Sequence, residues 1–186
     1  MNFYGFTSTG IDLPRFVEIW SSVYPEETDA LYNRNIGTLT PQGIKELFIW
    51  KNGTRLSEKK LKSVQDNYVE RLARLKALPN DFPPEKFLQE EFAGGMIWKI
   101  FLLHIWQPQK YPIFDQHVYR AMIQLKTGQI AELKEDDKEK FSKYLKEYLP
   151  FFKSLGDYPK RKLDKALWMY GKFLKTNWAK MIAFEK

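Results

Sequence analysis

Cysteine is absent from the 186 residues. That absence excludes disulfides, thiolate zinc sites, cysteine-ligated iron–sulfur clusters and a cysteine nucleophile in one step. It suits a reducing compartment, and a cytoplasmic location is expected. Histidine is nearly absent too, with only His104 and His117, so no metal site built on histidines is expected. Long apolar runs are missing. The longest, Met96 to Trp106, is interrupted by Lys99 and His104. As a helix it would reach roughly 17 Å, well short of a bilayer core. Met1 to Gly10 lacks a basic region followed by an apolar run, so no targeting segment and no membrane partner are expected. Strand-like alternation, internal repeats, low-complexity tracts and long linkers are likewise missing, which leaves one helical domain over 1–186 whose lobes, if it has two, the sequence does not separate.

Basic and aromatic residues are plentiful. Lys and Arg number 30 against 23 Asp and Glu, for a net charge of +7. A basic domain of this size suits a polyanion partner, although lysine-rich helical surfaces also serve solubility alone. Aromatics make up 16% of the chain, more than core packing usually needs.

The hydrophobic periodicity predicts about eight helices and an all-α fold. Asp12 caps a helix from Pro14, with Phe16, Val17, Trp20 and Val23 inward. A loop covers Asn33 to Leu39. Thr40-Pro41 opens a second helix with Ile44, Leu47 and Phe48 inward, and Lys51-Asn52-Gly53 stops it. A long amphipathic helix follows from Ser57 to Leu78, carrying Leu61, Val64, Tyr68, Leu72 and Leu75 on one face. A short helix spans Pro84 to Glu91. The apolar helix Met96 to Trp106 comes next, then one from Asp115 through Leu125 that Gly128 ends. A helix over 136–149 stops at Pro150, and a last one runs from Pro159 to the end with Leu163, Leu167, Tyr170 and Leu174 inward.

The segment Phe92 to Arg120 carries the chemistry. It reads as a glycine turn, a buried helix, a loop bearing Pro108 and Pro112, and an aspartate opening a helix. Gly94-Gly95 lets the backbone approach another surface closely, and the helix after it aims N–H groups and a positive dipole end outward, which suits a phosphate. An ordinary interhelical turn has the same composition. Asp115 caps the next helix, and N–H donors keep such a carboxylate ionised. An ionised carboxylate beside a nucleic-acid pocket can stabilise an oxocarbenium-like sugar and orient the attacking water.

Asp115-Gln116-His117-Val118-Tyr119-Arg120 resembles the D-x-H-V-x-R segment of helix-hairpin-helix DNA glycosylases of the GPD type, and the wording around it resembles 8-oxoguanine-glycosylase-like bacterial proteins. In that superfamily a hairpin of the form L-P-G-V-G-x-K precedes the aspartate, its lysine 18 residues upstream. Counting back 18 residues from Asp115 reaches Ile97 and lays the hairpin on Phe92 to Met96 without a gap, with Gly95 on the second hairpin glycine. The resemblance covers about 30 residues and implies a two-lobed helical bundle with its hairpin near 92–96. Phe92 and Ala93 replace the hairpin's proline and first glycine. Ile97 stands where bifunctional members have their Schiff-base lysine. Lys99 lies two residues on, roughly 200° around the helix, and a two-residue gap would restore it as nucleophile.

The resemblance implies an enzyme that flips a damaged or modified base out of duplex DNA and cleaves its N-glycosidic bond with Asp115. Gly94, Gly95, Met96, His117 and Arg120 are the implied DNA contacts. Trp98, Trp106, Phe114 and Tyr119 are candidate walls of the base pocket. Lys160, Arg161, Lys162, Lys165, Lys172 and Lys175 can neutralise the backbone or form an ordinary solvated face. Related hairpins hold a potassium or sodium ion on backbone carbonyls, and related proteins act as monomers. Two alternatives stay open at this point: a DNA- or damage-binding module without catalysis, and a helical interaction protein unrelated to DNA.

Overall fold

The computed structural model describes residues 11–177 and 179, and every regular element among them is helical. Asp12 opens α1 (Leu13–Ser22) by accepting from Arg15 N at 2.8 Å, and α1 buries Phe16 and Val17. The helix ends before Val23, which is 53% exposed rather than inward as the periodicity predicts. A 3₁₀ turn over Glu26–Asp29 leads into α2 (Ala30–Asn35), so the predicted loop begins only at Ile36. Tertiary contact explains this helix better than local propensity does. Asn35 donates from Nδ2 to Leu31 O at 2.8 Å and to Glu46 Oε2 at 2.7 Å.

Thr40 Oγ1 accepts from Gly43 N and starts α3 (Pro41–Asn52), which Gly53 ends at φ 72°. The predicted long helix is two pieces. The first, α4 (Glu58–Val64), runs into a π turn over Gln65–Val69, and the second is α5 (Leu72–Ala77). The sequence spacing explains the turn. Val64, Tyr68 and Leu72 are buried at successive spacings of four. On a regular helix each such step rotates about 40°, and a wider turn keeps all three on one side.

The same pattern recurs later. Asp136 caps α9 (Asp137–Lys143), a π turn spans Tyr144–Tyr148, and α10 (Leu149–Ser154) continues it. Tyr144, Tyr148 and Phe152 are again buried four apart. Pro150 therefore does not stop the helix as predicted. It sits in the first turn of α10, directly after the wide turn, which leaves room for its ring.

Between these lie α6 (Pro84–Lys86) with a π turn over Phe87–Glu91, α7 (Met96–Trp106) and α8 (Gln116–Thr127). The last element is α11 (Lys160–Phe173). The remainder of the predicted final helix falls partly on 178 and 180–186, outside the described residues. With α4 and α5 counted as one helix and α9 and α10 as another, the described residues hold nine helices, one more than the periodicity predicts, the addition being Glu26–Asn35. No helix among the described residues is long and apolar enough to cross a membrane.

The chain divides into two compact units. Among the described residues, one holds 11–24 and those from Pro112 onward. There α11 packs on both α1 and α8. The approach to α8 is close enough that a Cβ on Gly171 would lie 1.8 Å from His117 O. Phe16 meets Tyr170 edge-on at 5.2 Å, and Phe114 lies 5.4 Å from Tyr144 and 5.1 Å from Tyr148. The other unit runs from Pro25 to Tyr111. Its centre is Phe48, stacked on Tyr68 at 4.8 Å and edge-on to Phe101 at 5.3 Å. His104 is fully integrated into that core. Its Nδ1 faces Tyr111 O at 2.7 Å, so Nδ1 carries the proton, and Nε2 accepts from Tyr32 OH at 2.8 Å.

Candidate functional site

Ile113 and Phe114 are buried and anchor the chain immediately before Asp115. The backbone at Asp115 is extended (φ −162°, ψ −174°), the geometry an N-cap needs. One carboxylate oxygen accepts from His117 N at 2.9 Å and Val118 N at 3.3 Å. The carboxylate is thus half-buried, fixed in direction, and set at the positive end of the twelve-residue α8.

Tyr148, on the π turn before α10, feels the charge of this carboxylate. Its phenol is pushed well above the ordinary range by complete burial, and then by the negative charges of Asp164 and Asp115. It therefore keeps its proton, and its O–H makes no hydrogen bond among the described residues. Asp164 is itself buried on α11. Neither residue is readable as part of a site from the sequence, because Tyr148 sits on a regular apolar stripe and Asp164 within a lysine-rich helix.

Arg120 has no exposed atom. Its Nε and Nη2 bind Glu132 at 2.9 and 2.6 Å, and Nη1 donates to Gly171 O at 2.7 Å. Gln116 also donates to Glu132. The guanidinium beside it, with help from Gln116, holds the Glu132 carboxyl below the usual range despite some desolvation. Arg120 thus ties α8 to α11 and to the following loop, and in this arrangement presents nothing to a phosphate. His117 Nδ1 lies 3.2 Å from Arg120 Nη1. Guanidinium only donates, so Nδ1 is the acceptor and the imidazole proton sits on Nε2. The ring also meets Trp168 edge-on at 5.4 Å.

The predicted hairpin residues lie in the other unit, where Ala93, Gly94 and Gly95 form an exposed turn into α7. Gly94 requires glycine twice over. Its φ is 109°, and a Cβ would lie 2.4 Å from Tyr68 OH. Met96 is buried and Ile97 half-buried. Gly95 O already accepts from Trp98 N and Lys99 N. With both acceptances made, this carbonyl does not fit a cation ligand. Lys99 is 9% exposed on α7.

The four ring candidates separate. Trp98 is half-buried against Phe48 at 5.0 Å, and Trp106 half-buried against Phe87 at 5.5 Å. Phe114 is wholly buried and Tyr119 is 5% exposed, so both are core rings here. The structure gathers Asp115, His117 and Arg120 with Gly171, Trp168 and Tyr148 in one unit. Gly94, Gly95, Met96, Trp98, Lys99 and Trp106 belong to the other.

Tyr68 yields a direct prediction. Its hydroxyl is buried and makes no hydrogen bond among the described residues, and burial raises its pKa. Burying an unsatisfied hydroxyl costs about 1–3 kcal/mol. Tyr68→Phe keeps the stack on Phe48, so it is expected to stabilise the protein by about 1 kcal/mol or more. Urea denaturation measures this, and an unchanged or lowered midpoint would show that the hydroxyl is satisfied. No protein-family model, no curated protein and no solved structure matches the chain.

Proposed function

We propose that the chain is a helix-hairpin-helix DNA glycosylase relative that removes a damaged or modified base from duplex DNA. The observation that carries this reading is the Asp115 carboxylate, half-buried and held by two N–H groups at the start of α8. In the reaction the C1′–N bond breaks and its electron pair leaves with the base. The sugar becomes cationic, and Asp115 stabilises it electrostatically. Water then forms the new bond to C1′, and its proton passes to Asp115 or to solvent. The exposed 93–95 turn and the basic helices supply backbone contacts.

Ile97 rather than lysine at the aligned position makes this a water-using, monofunctional enzyme whose product is an abasic site. The test is a panel of duplexes carrying 8-oxoguanine, uracil, alkylated bases and modified cytosines. Strand breaks are expected only after alkali. Breaks without alkali, trapped by borohydride and abolished by Lys99→Ala, would make the protein bifunctional with Lys99 as nucleophile.

The burial of Phe114 and Tyr119 favours a second reading, a module that binds DNA without excising a base. On that reading no base is released from any duplex, while affinity remains salt-dependent.

A further inference from the structure

Arg161, Lys165, Trp168 and Lys172 recur along α11 at spacings of four, three and four residues. On a helix these positions fall within about 60° of arc and span about 17 Å. Aromatic rings hold the cations of this row in place. Arg161 and Lys165 lie over the Tyr24 ring at 5.2 and 5.0 Å, and Arg161 also donates to Tyr24 OH at 3.1 Å. Tyr24 meets Trp168 edge-on at 5.7 Å, and Lys172 lies over Trp168 at 4.8 Å. Trp168 in turn contacts His117, whose backbone N–H is bound by Asp115. Asp164 is the one acid within α11, and it is 3% exposed.

The ring contacts have a consequence for binding. A long flexible cation ordinarily loses rotamer freedom when it binds a phosphate. A cation already seated on a ring face has lost much of that freedom beforehand. With their faces covered by cations, the rings do not insert into an apolar phase, which argues against a lipid surface. A straight row of fixed positive charges matches a linear polyanion instead. One strand of B-DNA carries about five phosphates over the same length.

We infer that the Arg161–Lys165–Lys172 row tracks the phosphate backbone of one DNA strand and leads it to Asp115. The inference rests on the glycosylase reading for the identity of the polyanion, but its test does not require base release. The full chain is titrated with undamaged duplex by fluorescence anisotropy across a range of salt. The triple variant Arg161→Gln, Lys165→Gln, Lys172→Gln is compared with a charge-matched control, Lys59→Gln, Lys76→Gln, Lys86→Gln, at exposed positions elsewhere.

The plot of log affinity against log salt is expected to become shallower by about 2–3 in the triple variant, at about 0.9 for each phosphate that is no longer neutralised. Affinity near 0.1 M salt should fall ten-fold or more, with less than half of either effect in the control. Lys172→Gln alone, at an exposed position, should reduce the slope by about 0.9 and guards against misfolding of the triple variant. Equal reductions in triple variant and control would overturn the inference, because bulk charge would then explain them. So would a triple variant that keeps duplex affinity but no longer binds phosphatidylglycerol vesicles held by the wild type. A shallower slope in a protein that never releases a base would sink the glycosylase reading and leave this inference standing.

Discussion

Arg120→Ala is expected to destabilise the protein by about 3–5 kcal/mol, a large part of the 5–15 kcal/mol available to a typical domain. The change empties a fully buried site and leaves the Gly171 carbonyl without its 2.7 Å donor where α8 and α11 approach most closely. Its ion-pair partner behaves differently. Glu132 is itself 53% exposed, so Glu132→Gln opens no cavity, but it takes the counter-charge from the buried guanidinium and is expected to cost about 1–2 kcal/mol. This asymmetry separates the packing and carbonyl bond of Arg120 from its charge pair. Thermal denaturation reads it as a drop of roughly 6–20 °C for the arginine variant and roughly 2–8 °C for the other. Equal small effects would mean that Arg120 is not the lock between the two helices. The pair also has a pH signature. The Glu132 carboxyl is lowered in the folded protein, so its contribution is fully present above the ordinary carboxylate pKa. It is lost as pH falls through the lower folded value. Glu132→Gln should remove that part of the acid sensitivity.

Asp115→Asn is expected to separate chemistry from folding. Asparagine caps a helix nearly as well as aspartate. Its side-chain oxygen can accept from His117 N and Val118 N as the carboxylate does at 2.9 and 3.3 Å. Stability should therefore change by about 0.5 kcal/mol or less, whereas Asp115→Ala, which removes the cap, should cost about 1 kcal/mol. Base release should fall about 10²–10⁴-fold in the asparagine variant, because the charge facing the developing cation is gone. A residue that is only a cap would show the stability ordering without the fall in activity. The field around Asp115 includes Tyr148 and Asp164.

Helix ends were the most legible feature of the sequence, because each carries its own chemistry. Asp12, Thr40, Asp115 and Asp136 cap helices, and Gly53 and Gly128 end them at positive φ. Regular periodicity was legible too, although it hid the π turns. Runs such as Val64, Tyr68, Leu72 and Tyr144, Tyr148, Phe152 look helical at any modest window, and only the accumulated rotation shows that a wider turn is needed. The helix Ala30–Asn35 was not legible, since a partner distant in sequence, Glu46, helps to hold it. For the candidate site the boundary was similar. Asp115 announces itself through capping chemistry and the segment around it. Tyr148, Asp164 and Gly171 reach that neighbourhood from other helices, and no local pattern marks them. Arg120 enters the sequence reading as a DNA contact through the resemblance alone. Its full burial depends on Gly171, fifty-one residues later in the chain, having no side chain.

Single-turnover base release tests the central claim most directly. Wild type and Asp115→Asn would be compared on the lesion panel with duplex bound to saturation, and folding verified by circular dichroism. Release of at least one base by the wild type, reduced at least a hundred-fold in a folded, DNA-binding Asp115→Asn protein, is the result the account predicts. Release that persists unchanged in Asp115→Asn, or a wild type that binds every duplex and frees no base, would contradict it.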